Sequence, residues 1–434
     1  MTGSDTSAKA KLPRAALGAW LLVAIYYFYQ YALRSAPSVM MPQLTQSLAV
    51  DALGVSAIVG MFYYAYSPFS LVAGAAIDRY GARRIIPIGA ALVGIGALLF
   101  GMGNVPAANV GRFLQGAGGV FALVGAVYLI TKNFPVSLAA SFIGATQMFG
   151  MAGGSAGQFL VGPLIKQGLS WNQFWIYAGL LGIAISICLF AFLPSDSPQS
   201  SKAHGGFTAV MASLKTVFLN PQSLLCGFIS GLLFIPTTIF GMTWGVRFLQ
   251  EARGREFDSA VALAATVPLG WMIGCPLLGF ISDRIGRRKP VILAGSAVLL
   301  AIFAWVLFGD PGILRGPAVG IIMGIASGAA MIPYSVIKEA NPAHLGGSAT
   351  GVINFINFTF SALLGPVFGA RLVQAPEAIQ GTPLNFYQDG FAPLLYGIIA
   401  AFLLTLFLKE TGPAAQKNPQ KASPPKSPLL VPSS

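Results

Sequence analysis

The sequence predicts an all-α polytopic membrane protein whose twelve transmembrane helices form two pseudo-symmetric six-helix bundles. Three observations support this fold class. First, 55% of the 434 residues are hydrophobic, only 9% are charged and the mean hydropathy is +0.72, which is too apolar for a soluble fold of this size. Second, long apolar runs follow one another along the chain. Third, a polar motif that ends one run returns in the second half.

The returning motif reads GAAIDRYGARR from Gly74 to Arg84 and GFISDRIGRRK from Gly279 to Lys289. Its first glycine would let another helix approach closely. An Asp at a helix C-terminus is disfavoured by the macrodipole and therefore needs a compensating partner. The second glycine ends the helix in a tight turn. A basic surface turn is the simpler interpretation, but it does not account for two copies.

Both copies resemble the signatures between helices 2 and 3 and between helices 8 and 9 of the major facilitator superfamily. The resemblance implies the major facilitator fold, with twelve helices in two six-helix halves. Further matches between the halves are Lys132 with Lys338, Gly144 with Gly351, and Gln147 with Asn354. Parallel repeats of this kind place a substrate site at their interface near the middle of the membrane. We expect one half to rock against the other, in a rocker-switch form of alternating access.

Twelve runs of roughly 20 or more apolar residues define the predicted spans. In the first half they cover 15–41, 53–78, 85–103, 106–133, 138–165 and 172–194. In the second half they cover 222–249, 258–282, 290–308, 314–338, 345–372 and 386–408.

These spans divide the chain into five parts. They are a cytoplasmic N-terminal segment (1–14), an N-terminal bundle (15–194), a cytoplasmic linker (195–220), a C-terminal bundle (221–410) and a disordered cytoplasmic tail (411–434). The linker includes a short amphipathic piece at 207–218.

Most of the 26 Lys and Arg residues fall on the side that holds the repeated motif, so we expect both termini in the cytoplasm and the protein in a bacterial inner membrane. The first run is too long for a cleaved signal peptide and is taken as helix 1.

Arg34 is the most informative residue of helix 1. It lies about 26 Å along an α-helix from Leu17, and apolar residues continue to Met41, so the charge is inside the membrane. Such a charge normally faces the bundle interior or a cavity, whereas the alternative is a side chain that reaches to the membrane surface. Polar and aromatic side chains precede it at helical spacing, namely Tyr27, Gln30 and Tyr31. A guanidinium group binds carboxylate or phosphate bidentately, so Arg34 predicts an anionic substrate.

Helix 1 resembles that of organophosphate:phosphate antiporters and organic anion:cation symporters, in which an arginine of a Tyr-rich first helix binds the anion. It also resembles bacterial relatives of the lysosomal dipeptide carrier. Two departures matter. Thr238 stands where the phosphate antiporters carry a second arginine, and Leu33 and Gly119 stand approximately where the symporters carry acids. Helix 4 reads GRFLQGAGG, which resembles the arginine-containing motif of that helix. Its Arg112 either steers anions, stabilises the outer gate or binds carbonyls of neighbouring helices.

Two groups of functional residues are predicted. The substrate-binding group comprises Tyr27, Gln30, Tyr31, Arg34, Tyr63, Tyr66, Gln115, Gln147, Gln158, Thr238, Phe240, Trp244, Tyr334, Asn354 and Asn357, with Trp271 and Met331 as further candidates for the cavity wall. The gating group comprises Gly74, Asp78, Arg79, Arg83, Arg112, Gly279, Asp283, Arg284 and Arg287. For the amides and aromatic residues the competing interpretation is helix packing or an interfacial anchor.

All thirteen Asp and Glu residues lie in predicted loops, tails or helix ends, and both histidines lie in predicted cytoplasmic loops, so no buried carboxylate or imidazole is an obvious proton relay. We therefore expect facilitated diffusion, exchange, or symport in which the substrate's own acid carries the proton. We expect a monomer that binds a small anion and the lipid bilayer, with no metal, no cofactor and no nucleic acid. The predicted function is transport of a small organic anion, a carboxylate. The alternatives are an amino acid or dipeptide carrier, or, from another class, a membrane enzyme or lipid scramblase, for which no catalytic cluster is visible.

Overall fold

The computed structural model describes residues 14–194, 207–309, 316–373 and 383–416. The predicted N-terminal segment, the first part of the linker and most of the tail therefore lie outside the described residues. The helices of the N-terminal half are α1 (Arg14–Ser35), α2 (Met41–Leu48), α3 (Ala52–Tyr80), α4 (Ala82–Gly101), α5 (Val105–Asn133), α6 (Val136–Phe159), α7 (Val161–Lys166) and α8 (Trp171–Phe192).

The linker piece 207–218 forms the helix α9 (Phe207–Phe218), which packs against both halves. The helices of the C-terminal half are α10 (Pro221–Ile235), α11 (Gly245–Glu251), α12 (Phe257–Ile285), α13 (Lys289–Phe308), α14 (Ala318–Ser327), α15 (Ile332–Glu339), α16 (Gly346–Val373), α17 (Pro383–Phe407) and α18 (Pro413–Gln416).

The predicted fold class is confirmed. Within the described ranges, 11 helical segments are long and apolar enough to cross a membrane. Helix α6 is not one of them, but it lies alongside α1 and α12 and completes the twelve predicted segments. No β-strand occurs in the part of the chain that the structure describes.

Several predicted spans are interrupted where proline or glycine changes the local hydrogen bonding. The first predicted span is α-helical only as far as Ser35, because Pro37 has no N–H to continue the helical hydrogen bonds. A 3₁₀ turn (Ala36–Val39) then separates α1 from α2. The span 222–249 contains a π-helical segment (Pro236–Trp244) that begins at a proline. The tenth span is divided by a 3₁₀ turn (Gly328–Met331) between α14 and α15.

Close contacts between helices fix the positions of α1 and α3 in the N-terminal half. A Cβ atom added to Gly116 of α5 would lie 2.0 Å from the carbonyl oxygen of Phe62 in α3. One added to Gly153 of α6 would lie 2.1 Å from the carbonyl oxygen of Phe28 in α1. Only glycine permits this backbone approach, and it holds α1 and α3 against their neighbours.

The two halves meet along two helix pairs, α3 with α16 and α6 with α12. In the first pair Ser67 donates to the carbonyl of Phe355 (2.7 Å) and lies 2.8 Å from the hydroxyl of Thr359. Next to the second pair, Lys166 of α7 and Asp258 of α12 form an ion pair of 2.5 Å at the end of the molecule opposite the repeated motif. The interface therefore runs through the centre of the fold to that end.

Both copies of the repeated motif end a helix at a glycine, as predicted. Gly81 has φ +86° and Gly286 has φ +69°, values that L side chains rarely adopt. The close helix approach predicted at the first glycine is wrong. A Cβ atom at Gly74 or Gly279 meets no described atom within 4 Å, because these helix faces border open space rather than another helix.

Candidate functional site

Arg34 lies in the last turn of α1 and is only 1% exposed. None of its three guanidinium nitrogens has a hydrogen-bond partner among the described residues. Burial of an ion costs several kcal/mol unless other groups compensate for the lost water. The site therefore contains a fixed positive charge whose N–H groups are unused by the protein.

Five aromatic rings surround this guanidinium group and form what we call the aromatic cage. The distances from Cζ to the ring centroids are 4.2 Å for Tyr31, 4.6 Å for Phe62, 5.0 Å for Tyr66, 5.1 Å for Phe358 and 5.4 Å for Tyr63. Cation–π contacts stabilise the charge through the ring faces and do not consume the N–H donors. The cage therefore positions Arg34 while leaving its donors available, and it is built by α1, α3 and α16, that is, by both halves.

Arg112 is equally buried, but both of its terminal guanidinium nitrogens are bonded, and only Nε has no partner among the described residues. It donates to the carbonyl of Leu33 (3.2 Å), to Oε1 of Gln115 (2.8 Å) and to the carbonyl of Val59 (3.4 Å). Of the three predicted roles, these contacts support the binding of carbonyls on neighbouring helices. Phe62 lies between the two cations, 5.2 Å from the Arg112 guanidinium carbon.

A central cavity lies between the halves beside the aromatic cage. It offers about 20 Å³ to the centre of a water-sized sphere, which is room for roughly one water molecule. Seven predicted binding residues line it, namely Tyr27, Tyr31, Tyr66, Gln147, Tyr334, Asn354 and Asn357, as do the wall candidates Trp271 and Met331.

Most polar groups of this central cavity bond to one another. Tyr27 donates to Oε1 of Gln147 (2.7 Å) in the N-terminal half. Tyr334 donates to Oδ1 of Asn354 (2.6 Å) in the C-terminal half, and Nδ2 of Asn357 donates to the Tyr334 hydroxyl at 3.2 Å. The pseudo-symmetric amides thus face the same cavity from the two halves.

A second, smaller cavity of about 10 Å³ lies on the other side of the cage and is lined by Tyr63 and Trp244 of the predicted group. Tyr63 contacts Arg34 from this side, whereas Tyr31, Tyr66 and Phe358 contact it from the central cavity. Arg34 therefore lies between the two cavities.

Six predicted binding residues line neither cavity. Arg34 is one of them, and it contacts the cavities through the rings of its cage. Gln115 supports Arg112, Gln158 donates to the carbonyl of Gly241 across the interface (2.8 Å), and Thr238 donates to the carbonyl of Ile235 (3.1 Å). Gln30 has both amide atoms buried without a partner among the described residues. Phe240 packs within the C-terminal half against the rings of Phe248, Phe303 and Phe391.

Sequence reasoning did not single out several residues that form the site. Phe62 and Phe358 belong to the cage, and Phe234 lines the central cavity. Phe62 carried a usable signal, because it precedes Tyr66 by four residues and so shares its helix face. Phe358 carried the same signal, because it follows Asn354 by four residues, but only the packing of α16 shows that it, and not Phe355 or Phe360, reaches Arg34.

In the second copy of the repeated motif Arg288, which was not predicted, makes the ion pairs. It pairs with Asp283 at 2.5 Å and with Glu339 at 2.7 Å. Burial lowers the pKa of Arg288, but its hydrogen bonds to Glu339 and Asp283 raise it. Together these effects place the pKa above its ordinary value. The main-chain N–H of Arg288 also donates to Glu410 (2.7 Å). These contacts join elements of the C-terminal half to each other.

Residues 23–366 match the family model of the Major Facilitator Superfamily. The chain belongs to this superfamily. It is 24% identical over 406 residues to the hexuronate transporter of Bacillus subtilis (89% of this chain and 94% of the relative). It is 23% identical over 413 residues to the probable sulfoacetate transporter SauU of Cupriavidus necator (90% and 94%). It is 21% identical over 417 residues to the probable galactarate/D-glucarate transporter GudP of Escherichia coli (83% and 88%).

Solved structures of this superfamily share the fold. The nucleoside transporter NupG superposes with a TM-score of 0.71 at 17% identity and covers 90% of this chain and 99% of its own. The xylose transporter XylE of E. coli, in its inward open conformation, gives 0.67 at 14% identity, with 91% and 97% covered. At these identities the likeness concerns the fold alone.

Proposed function

We propose that this protein is a secondary transporter that carries a small organic anion, a carboxylate, across the bacterial inner membrane by rocking its two halves around Arg34. The observation that carries the proposal is the unpartnered guanidinium group at the centre of the fold. Planar guanidinium N–H groups match a carboxylate bidentately. An anion at this position would supply the hydrogen bonds that the described residues do not.

The position of Arg34 supports alternating access. It lies between two cavities, in a cage to which both halves contribute rings. A ligand bound there would contact both halves at once. Rocking of the halves would then expose the same cation first to one cavity and next to the other.

The charge of the site supports a monoanion rather than a phosphate dianion. Arg34 is the only cation whose nitrogens are all unused near the cavity in the described chain, since Arg112 is bonded to helix carbonyls and Thr238 occupies the position of a second arginine. No described Asp or Glu lines the central cavity, so the amine of an amino acid or dipeptide would lack an ionic partner. The relatives are named for hexuronate, which carries one negative charge, and for sulfoacetate and galactarate/D-glucarate, which carry two; these names agree with an organic anion and do not bear on its charge.

A thermal-shift series on the purified full-length protein tests this proposal. Hexuronate, sulfoacetate, galactarate, inorganic phosphate and alanine are the probes. Because a ligand stabilises the state that binds it, at least one organic anion should raise the melting temperature of the wild type. Arg34→Ala should abolish that rise and uptake into proteoliposomes. Arg371→Ala, at an exposed position on α16, is the matched control and should retain both. Unchanged affinity and uptake in Arg34→Ala would overturn the proposal.

A further inference from the structure

We infer that the carrier selects a hydroxylated organic anion, and that Trp271 and Asn357 of the C-terminal half bind a substrate hydroxyl while Arg34 binds the carboxylate. The inference rests on the proposed function. It concerns the neutral part of the substrate, which Arg34 does not contact.

Asn357 contributes an unused acceptor to the central cavity. Its side chain is 4% exposed, and Nδ2 donates to the hydroxyl of Tyr334 (3.2 Å) and to that of Ser230 (3.4 Å). These two bonds consume both amide hydrogens and set the orientation of the amide. Oδ1 is buried without a partner among the described residues. A buried carbonyl in this state favours a ligand that donates to it.

Trp271 contributes an unused donor to the same cavity. It is 3% exposed, and its indole Nε1 has no partner among the described residues. Its ring packs against Phe234 with 5.4 Å between centroids. Its backbone nitrogen lies so close to α14 that a Cβ atom at Gly324 would come within 2.6 Å. The helix and the ring are therefore fixed, and the donor is presented by a rigid wall.

A hydroxyl group fits this donor and acceptor together. Its oxygen can accept from an indole N–H while its hydrogen is donated to an amide carbonyl. An ammonium group cannot accept from Trp271, and a carboxylate or ketone cannot donate to Asn357. Other polar groups around the cavity are bonded in the pairs Tyr27–Gln147 and Tyr334–Asn354. The unused donor and acceptor of the C-terminal half are therefore the groups that a substrate hydroxyl would satisfy.

The geometry divides recognition between the halves. Arg34 belongs to the N-terminal half, and the hydroxyl-binding pair belongs to the C-terminal half. A hydroxylated acid can bridge them, whereas an acid of equal length without hydroxyls satisfies only one half. A site built to bond a hydroxyl discriminates against the analogue that lacks it, because its own polar groups are then left unpaired.

The test compares affinities within two pairs of monocarboxylates of equal carbon number, D-gluconate with hexanoate and D-glycerate with propanoate. Binding to the purified full-length protein is measured by calorimetry. Wild type should prefer the hydroxylated member of at least one pair by about tenfold or more, the order expected for one well-made hydrogen-bonded group. Trp271→Phe keeps the ring and removes only the N–H, and it should reduce that preference about tenfold. Asn357→Leu removes the acceptor and should act in the same direction.

Trp305→Phe is the matched control, because it makes the same chemical change on α13 outside the cavity, and it should leave the preference unchanged. The inference is overturned if wild type shows no preference, or if Trp271→Phe retains it. If Arg34→Ala binds none of the acids but Trp271→Phe keeps the wild-type preference, this inference is wrong and the proposed function stands. If Arg34→Ala still binds both members of a pair as the wild type does, the proposed function is wrong.

Discussion

At the scale of single residues, Arg34 and Arg112 show how context assigns roles to identical side chains. Both are nearly inaccessible, at 1% and 0% exposure, and both contact the ring of Phe62. Arg112 donates to carbonyls of α1 and α3, whereas the nitrogens of Arg34 have no described partner. The first therefore stabilises the bundle, and the second carries an energetic cost that a bound anion would offset.

Substitution of the two arginines should consequently have different effects on stability. Arg112→Met should lower the melting temperature, because it leaves the carbonyl of Leu33 unpaired at a cost of about 1–3 kcal/mol, since Pro37 has no N–H to bond to it. Arg34→Met should leave the melting temperature of the ligand-free protein unchanged or raise it, because it removes a buried charge without a hydrogen-bond partner. Thermal unfolding in detergent measures both. An equal loss of stability in the two variants would contradict these assignments.

At the scale of elements, the position of Arg34 depends on how closely α1 packs against α6. Gly153 permits the backbone contact with Phe28, and the hydroxyl of Ser35, next to Arg34, donates to the carbonyl of Gly154 at 2.5 Å. The cation is thus held by a helix pair whose separation is set by a glycine.

A pair of glycine substitutions in α6 tests this dependence. Gly153→Ala would place Cβ 2.1 Å from a backbone oxygen, so α1 must shift, and we expect a loss of about 1–3 kcal/mol together with weaker anion binding. Gly144→Ala lies in the same helix, where a Cβ meets nothing within 4 Å, and it should be neutral or stabilising by up to about 1 kcal/mol. Melting temperature and calorimetric affinity check both variants. Similar effects at the two positions would show that helix approach does not position Arg34.

At the scale of the whole molecule, the two halves are joined at the end opposite the repeated motif. Lys166 of α7 and Asp258 of α12 form an exposed ion pair, which contributes about 0–1 kcal/mol and is easily broken. An ion pair this weak would be compatible with the opening at this end that the proposed rocking requires.

Cross-linking across this interface tests whether the halves must separate. Lys166→Cys with Asp258→Cys, in a background without Cys188, Cys226 and Cys275, is treated with a short bis-methanethiosulfonate reagent. Transport in proteoliposomes should stop and should recover on reduction. Arg247→Cys with Glu251→Cys places the same cross-link within α11, where the pair is spaced i to i+4, and it should not block transport. Full transport by the cross-linked Lys166/Asp258 variant would exclude opening at this end.

Much of the fold followed from the sequence because its signals are local. Length and hydropathy defined the apolar segments, and the two glycines with positive φ ended the helices where the motif predicted. The interruptions at Pro37 and Gly328 and the π-helical segment after Pro236 were not predicted, because tertiary contacts decide whether such residues bend, tighten or widen a helix.

The sequence by itself determined a membrane protein of two similar halves with a cation in its first helix, since these features depend on composition, repetition and spacing along the chain. The tertiary structure alone decided which cation is left with unused donors and what surrounds it. Phe358 reaches Arg34 from the opposite half, Arg112 is bonded to helix carbonyls, and Arg288 binds Asp283 and Glu339. These outcomes depend on which faces of distant helices meet, and no local pattern in the sequence records that.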